Sequence, residues 1–177
     1  LPLELNIAPI YYNKEIFDKF AVDYPRDDMT WSEVIELAKK VTGEIDGVKY
    51  RGLDLDVPNM AFSQLSANYA DPETGDPLYT KEPAFKRYYD LMYEVWSIPG
   101  NLYGDDPGAL IQSFGAKFAL EQNVAMLPLW NITGWLASME ELTGMRWDMV
   151  TYPVWDDQPG VDPMAQGPVI GVSAYSQ

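Results

Sequence analysis

Apolar and polar positions alternate along the chain in two patterns, which predict strands and helices in turn. Short apolar runs rich in β-prone residues predict strands at 3–12, 48–55, 123–130, 147–154 and 168–176. Apolar residues at helical spacing predict helices at 13–20, 30–42, 58–68, 83–98, 107–120 and 131–142. This alternation predicts an α/β fold, in which helices flank a mixed sheet.

Local signals support two of these assignments. Thr30 and Glu33 stand at the spacing of a capping box, in which each side chain accepts a hydrogen bond from the other residue's backbone N–H. The sequence DPETGDP, at 71–77, is rich in turn-forming residues and predicts a small hairpin or loop. Its oxygen atoms superficially resemble a calcium loop, but the spacing of the acidic residues and the prolines disfavour that interpretation.

The charge and composition of the chain exclude several classes of function. With 27 acidic and 12 basic residues the formal net charge is −15, which disfavours a nucleic-acid partner and an anionic lipid surface. The chain has no Cys and no His, so thiol catalysis, a Ser-His-Asp triad and the commonest zinc ligands are excluded. The glycine-rich phosphate-binding motifs G-x-G-x-x-G and G-x-x-x-x-G-K-S/T are both absent from the sequence. Any catalysis would have to depend on carboxylates, Lys or Tyr, and we predict no cofactor and no metal site.

The residues themselves allow two hypotheses about function. Adjacent acidic pairs at Asp27/Asp28, Asp105/Asp106 and Asp156/Asp157 allow a fragment of a carbohydrate-active hydrolase that uses paired carboxylates, although solvated turn residues explain them more simply. A stand-alone carbohydrate-binding module is a further alternative, but the α/β pattern disfavours a sandwich.

Three tryptophans lie at or beyond predicted strand ends, namely Trp130, Trp135 and Trp155. In α/β sheets the loops beyond the carboxyl ends of strands tend to line the binding crevice. An indole there offers a flat surface for the apolar face of a sugar, and neighbouring amides such as that of Asn131 can bind its hydroxyl groups. Each tryptophan has the alternative role of closing the core.

Four segments, in order, resemble the family 1 extracellular solute-binding proteins of ABC transporters, a maltose-binding-protein-like family. The segments are PIYYNKEIFDKFAVDYP, MTWSEVIELAKKVT, FALEQNVAMLPLWNITGWL and WDMVTYPV with the later GPVIGVSAYS. Together they extend over nearly the whole chain. The resemblance implies a type II periplasmic-binding-protein-like lobe, with a hinge strand at 1–12, a ligand-binding lobe at 13–165 and a returning hinge strand at 166–177.

The resemblance also implies the function and the ligand contacts. We expect this chain to be the second lobe of a two-lobed, monomeric receptor without enzymatic activity. The receptor would deliver a small solute, predicted to be an oligosaccharide, to membrane permease subunits. A peptide or a polyol ligand stays open. The implied location is extracellular, either anchored to the cell surface by lipid or periplasmic. The expected ligand-binding residues are Asn6, Asp56, Asn59, Met60, Trp130, Asn131, Trp135, Gln166 and Gly167.

Overall fold

A computed structural model describes residues 6–55, 59–102, 115–165, 167 and 171 of the chain. The helices in these residues are α1 (Lys14–Phe20), α2 (Trp31–Lys40), α3 (Asn59–Ser63), α4 (Pro83–Trp96) and α5 (Thr133–Thr143). The strands are β1 (Pro9–Asn13), β2 (Gly43–Ile45), β3 (Val48–Leu53), β4 (Val124–Pro128) and β5 (Trp147–Thr151). A π-helical turn, Lys117–Glu121, precedes β4.

The five strands form one mixed sheet in the order β2-β3-β4-β1-β5. Strand β1 is antiparallel to both β4 and β5, whereas β3 is parallel to β4. The carboxyl ends of β3, β4 and β5 therefore meet the amino end of β1 at one edge of the sheet. Ligand sites in α/β proteins form at such an edge.

Side chains of β1 alternate between two apolar cores, one on each face of the sheet. Ile10 and Tyr12 pack with residues of α1, α2 and α4, including the fully buried Trp31 and Val34. Tyr11 points to the opposite face. There it packs with residues of the π-helical turn, β4 and α5. Helices thus flank the sheet on both faces, which confirms the predicted α/β class.

Side chains cap the starts of helices α1 and α2. The side chain of Asn13 accepts a hydrogen bond from the Glu15 backbone N–H at the start of α1. At the start of α2, Thr30 accepts from the Glu33 N–H and the Glu33 carboxylate accepts from the Thr30 N–H, so the capping box is confirmed.

The predicted turn at 71–77 is also confirmed. Asp71 Oδ1 accepts hydrogen bonds from the backbone N–H groups of Glu73 and Thr74, and Ala70 pairs with Pro77 in an antiparallel bridge. These hydrogen bonds lower the pKa of Asp71. Its carboxylate therefore closes a turn.

Some elements differ from those predicted. The sequence predicts a helix stop at Gly43, but this residue begins β2, which forms a hairpin with β3. Helix α3 is shorter than the predicted 58–68 and ends at Ser63. Most of the predicted helix 107–120 and the final strand 168–176 lie outside the described residues. Among the described residues, no helix is both long and apolar enough to cross a bilayer.

Candidate functional site

A cleft of about 590 Å³ opens at the edge where the strands β3, β4 and β5 end. Three segments line it, one following each strand. The segment after β3 contributes Asn59, Met60, Phe62, Ser63, Gln64, Ser66, Ala67, Asn68 and Tyr69, the segment after β4 contributes Trp130, and the segment after β5 contributes Val161, Asp162 and Met164. The order and direction of the strands therefore determine where the cleft lies.

Trp130 lies at the junction of the two cores. It lies two residues beyond the end of β4 and is partly buried. Its side chain packs against both apolar cores and also lines the cleft. Part of the indole is therefore held by packing and part is available to a ligand. An indole in this position can bind the apolar face of a sugar ring.

The side-chain amide of Gln64 holds one wall of the cleft in place, and this residue is only 2% exposed. Its Nε2 donates to the carbonyl oxygens of Pro153 and Val161, at 2.8 and 2.7 Å. Its Oε1 accepts from Trp31 Nε1 at 3.2 Å. Gln64 therefore joins the segment after β5 to helix α2 and fixes one wall of the cleft.

The loop that carries Trp130 is held by two side chains of the neighbouring β1 segment. Asn6 Oδ1 accepts from the Asn131 backbone N–H, and the hydroxyl of Tyr11 accepts from the Ile132 N–H at 2.9 Å. Burial raises the pKa of the Tyr11 phenol, so the hydroxyl stays protonated over a wide pH range. Both bonds limit movement of the Trp130 loop.

The cleft is lined mainly by neutral groups. Asp162 is the one charged side chain among the described residues that line it; amides and hydroxyls supply the other polar side chains. No group of three or more acidic residues in the described part of the chain is placed to hold a metal ion. Aromatic surfaces, neutral donors and acceptors, and a single carboxylate suit an uncharged, hydroxylated ligand.

Two of the acidic pairs have structural contacts away from the cleft. Asp27 Oδ1 accepts from the Thr151 backbone N–H at 2.9 Å. Asp156 accepts from Ser32, and Asp157 forms an ion pair with Arg87 that lowers the pKa of Asp157. The third pair, Asp105/Asp106, lies outside the described residues. Within the described part, no acidic pair converges on the cleft.

The structure brings three of the residues predicted to bind ligand into the cleft, namely Asn59, Met60 and Trp130. Asn6 and Asn131 lie beside it and bond to each other. Gly167 is exposed, and Asp56 and Gln166 lie outside the described residues.

The other two tryptophans differ from Trp130. Trp135, on α5, is 36% exposed and is not among the described residues that line the cleft. Trp155 is only 6% exposed, donates its indole N–H to the Ala61 carbonyl oxygen and lies beneath the Arg87 guanidinium. Trp155 therefore takes the alternative role, that of closing the core.

Sequence reasoning missed two informative residues of the cleft, Tyr69 and Asp162. Tyr69 is 62% exposed, and its ring lies 4.9 Å from that of Phe62. Tyr69 lies between the predicted helix 58–68 and the predicted turn at 71–77, so no periodic pattern in the sequence marks it. Asp162 lies in the Pro/Gly/Asp-rich loop after β5, where nothing in the sequence distinguishes it from other loop residues.

Comparisons with known proteins agree with this architecture. The arabinooligosaccharide-binding protein of Halalkalibacterium halodurans is 27% identical over 164 residues, which are 89% of this chain and 35% of that protein. No protein-family model matches the chain.

Solved structures of similar fold include three proteins associated with sugars. A sugar transporter protein from Rhizobium etli, in an open conformation, superposes with a TM-score of 0.69 at 24% identity, over 94% of this chain and 42% of that one. The maltose/maltodextrin-binding domain MalE of Bdellovibrio bacteriovorus, bound to maltotriose, gives 0.63 at 17% identity, over 94% and 42%. An ABC substrate-binding protein of Listeria monocytogenes, in complex with cycloalternan, gives 0.60 at 20% identity, over 89% and 40%.

These findings confirm the predicted resemblance and the predicted fold. The described residues have the fold of a type II periplasmic-binding-protein-like lobe, with a mixed sheet flanked by helices. The chain spans less than half the length of the relatives that it matches.

Proposed function

We propose that this chain is the ligand-binding second lobe of the substrate-binding component of an ABC importer, and that its solute is an oligosaccharide. The observation that carries the proposal is the cleft itself, where Trp130 and Tyr69 offer aromatic surfaces among amides, hydroxyls and one carboxylate. Sugars have apolar faces and many neutral hydroxyl groups, so they match this lining better than an ionic ligand does.

The similar proteins support the same ligand class. One relative is named for arabinooligosaccharides, and two of the similar structures contain maltotriose or cycloalternan. These ligands differ in sugar type and linkage but share neutral hydroxyl groups and more than one sugar unit. The support therefore extends to oligosaccharides as a class.

The proposal includes a two-lobed receptor. The chain corresponds to about two fifths of each similar structure, so the cleft supplies one side of the site and a second lobe supplies the other. Ligand binding favours a closed arrangement of such lobes, and membrane permease subunits recognise that arrangement. The receptor acts as a monomer outside the cell membrane, either held there by lipid or free in a periplasm.

The proposed ligand contacts combine residues of the cleft with those that the resemblance supplies. Within the cleft they are Asn59, Met60 and Trp130, to which the geometry adds Tyr69 and Asp162. Asn6, Asn131, Trp135, Asp56, Gln166 and Gly167 remain proposed contacts from the resemblance.

A hydrolase fragment is disfavoured by the same geometry. Glycoside hydrolysis uses two carboxyl groups about 5 to 9 Å apart across the scissile bond. The described lining of the cleft supplies one, that of Asp162. We accordingly propose binding without chemical conversion of the ligand.

Isothermal titration calorimetry of the polypeptide encoded by the complete gene tests the proposal. The ligands are arabinooligosaccharides, maltotriose, mannobiose, the matching monosaccharides, polyols and short neutral peptides. We expect saturable binding of at least one oligosaccharide and recovery of that sugar unchanged after incubation. Binding of a peptide but of no sugar would overturn the ligand class, and cleavage of the sugar would overturn the binding role.

A further inference from the structure

The aromatic surface of the cleft continues beyond it onto helix α4. Tyr69, at the cleft, lies 5.7 Å from Phe85 between ring centroids, and Phe85 lies 6.4 Å from Tyr89. Phe85 is buried, whereas Tyr69 and Tyr89 are 62% and 53% exposed. A buried phenylalanine thus supports two exposed tyrosine rings, of which one lines the cleft and the other lies outside it.

The exposed rings are not required by the packing of α4. That helix buries Leu91 and Val95 in the core that contains Trp31, and Phe85 against the ring of Phe62. Tyr89 and Tyr93, one turn apart, lie on its exposed side, and Tyr93 is 74% exposed. Isolated exposed apolar residues are common, but a contiguous exposed patch that continues from a cleft is typical of an interaction surface.

Tyr88 shows that the phenol groups of this region lie close together. Its ring is 5.4 Å from that of Tyr89 and 5.5 Å from that of Phe62. Burial raises the pKa of Tyr88 to about 12, and the neighbouring phenols of Tyr69 and Tyr89 add to the shift. The patch therefore combines flat apolar surfaces with clustered hydroxyl groups that both donate and accept hydrogen bonds.

Three charged side chains of α4 beside the patch, Lys86, Arg87 and Asp90, form ion pairs. Lys86 Nζ lies 2.5 Å from Asp90 Oδ2, one turn along α4. Arg87 forms an ion pair with Asp157. Because these three charges are already matched, they give the patch no preference for an ionic ligand over a neutral one.

We propose that Tyr69 and Tyr89, with Tyr93 at the far end, form a surface subsite that binds the protruding end of a neutral oligosaccharide whose first units occupy the cleft. The subsite rests on the proposed function, because it extends the same site. The exposed rings of Tyr69 and Tyr89 each lie within 6.4 Å of the buried Phe85 ring, on opposite sides of the cleft boundary, so separate units of one linear chain can contact the two exposed rings. The subsite selects for the length of the ligand.

The test compares short and long members of one series on the complete polypeptide. Calorimetry measures two-unit, three-unit, six-unit and eight-unit arabinooligosaccharides, maltooligosaccharides and mannooligosaccharides against the unaltered protein, Tyr89→Ala, Tyr89→Phe and Tyr24→Ala. Tyr24 is a matched control because it is an exposed tyrosine whose ring contacts Tyr12 and Phe17, away from the cleft.

We expect Tyr89→Ala to weaken binding of the long ligands by about three- to tenfold and to leave the short ones unchanged, since one ring contact is lost. Tyr89→Phe keeps the ring and is expected to retain most of the affinity, and Tyr24→Ala is expected to have no effect. Equal affinity of Tyr89→Ala and the unaltered protein for the long ligands would overturn the subsite. The subsite would also be overturned if Tyr89→Ala lowered the melting temperature but kept the affinity for long ligands. Tyr89 would then support the fold and not the ligand. Absence of binding to every sugar would instead overturn the proposed function.

Discussion

Asn131 donates its backbone N–H to the side-chain oxygen of Asn6, with 3.0 Å between Asn131 N and Asn6 Oδ1. Asn6 precedes β1 and Asn131 follows β4, so this bond connects two segments at the edge where the cleft opens. Asn131 Oδ1 in turn accepts from the backbone N–H and the hydroxyl of Thr133, at 3.2 and 2.7 Å. The loop that presents Trp130 is therefore connected both to the β1 segment and to the start of α5.

The two ends of the Asn6 amide have separable roles. Its oxygen holds the loop, and the resemblance implies that the residue also contacts ligand. Asn6→Asp keeps an acceptor but removes the NH₂ donor, so we expect nearly unchanged thermal stability and about three- to tenfold weaker oligosaccharide binding. Asn6→Leu removes both groups and is expected to lower the stability by about 1 kcal/mol as well. Calorimetry and thermal melts measure the two effects, and full affinity in Asn6→Asp would remove Asn6 from the ligand contacts.

Trp130 is expected to supply the main aromatic contact in the cleft. Trp130→Ala in the complete polypeptide should weaken oligosaccharide binding by at least about tenfold, because both stacking and buried area are lost. Trp130→Phe keeps a smaller ring and should recover part of the affinity. Because Trp130 also packs against both cores, circular dichroism has to show that each variant is folded. Unchanged affinity in Trp130→Ala would assign the indole to the core.

The elements that the sequence predicted well have strong local signals. Helix α2 follows its capping box, and helix α4 begins at the predicted Pro83 and ends close to the predicted stop. Strand β2 was missed because three residues show no periodicity and Gly43 is equally suited to end a helix. Local chemistry thus located the long elements, while the short hairpin depends on its pairing with β3.

The same contrast holds for the cleft. Trp130 could be predicted because it lies at the end of a predicted buried strand, and the position of strand ends determines where crevices form. Tyr69 could not, because an irregular segment brings it to the cleft, held by the hydrogen bond from the Leu78 backbone N–H to the Tyr69 carbonyl oxygen. Such a contact depends on tertiary geometry and has no periodic signature in the sequence.

Gly52 permits the close contact between β3 and α2. A Cβ atom at this position would lie 2.1 Å from the Ala38 carbonyl oxygen and 2.6 Å from its carbonyl carbon, which are backbone atoms of the helix. We expect Gly52→Ala to lower the free energy of unfolding by more than about 2 kcal/mol, because the helix has to move away from the sheet. Urea unfolding followed by circular dichroism measures the loss.

A matched glycine offers the control. Gly134 lies in α5, and a Cβ atom there would meet nothing within 4 Å. Gly134→Ala should therefore raise the free energy of unfolding by about 0.5 to 1 kcal/mol through the lower entropy of the unfolded chain. Equal stability of Gly52→Ala and the unaltered protein would show that the helix and the strand can separate without cost.

The ion pair between Lys14 and Asp148 predicts an acid-dependent loss of stability. Lys14 Nζ lies 2.8 Å from Asp148 Oδ2, and this hydrogen bond is the main cause that lowers the pKa of the Asp148 carboxyl. A carboxyl whose pKa is lower in the folded than in the unfolded chain stabilises the fold above its unfolded pKa of about 4. That stabilisation is lost as the pH falls through the lower, folded value.

Asp148→Asn removes this contribution, so the melting temperature of the variant should approach that of the unaltered protein as the pH falls from about 6 to 3. The large negative net charge also changes over this range, and protonation of the other carboxylates relieves repulsion in both proteins. The difference between the two melting curves therefore isolates Asp148.

Glu141→Gln is the control, since Glu141 is exposed on α5 and has no ion pair or side-chain hydrogen bond among the described residues. A constant difference between Asp148→Asn and the unaltered protein across this pH range would show that the pair does not stabilise the fold.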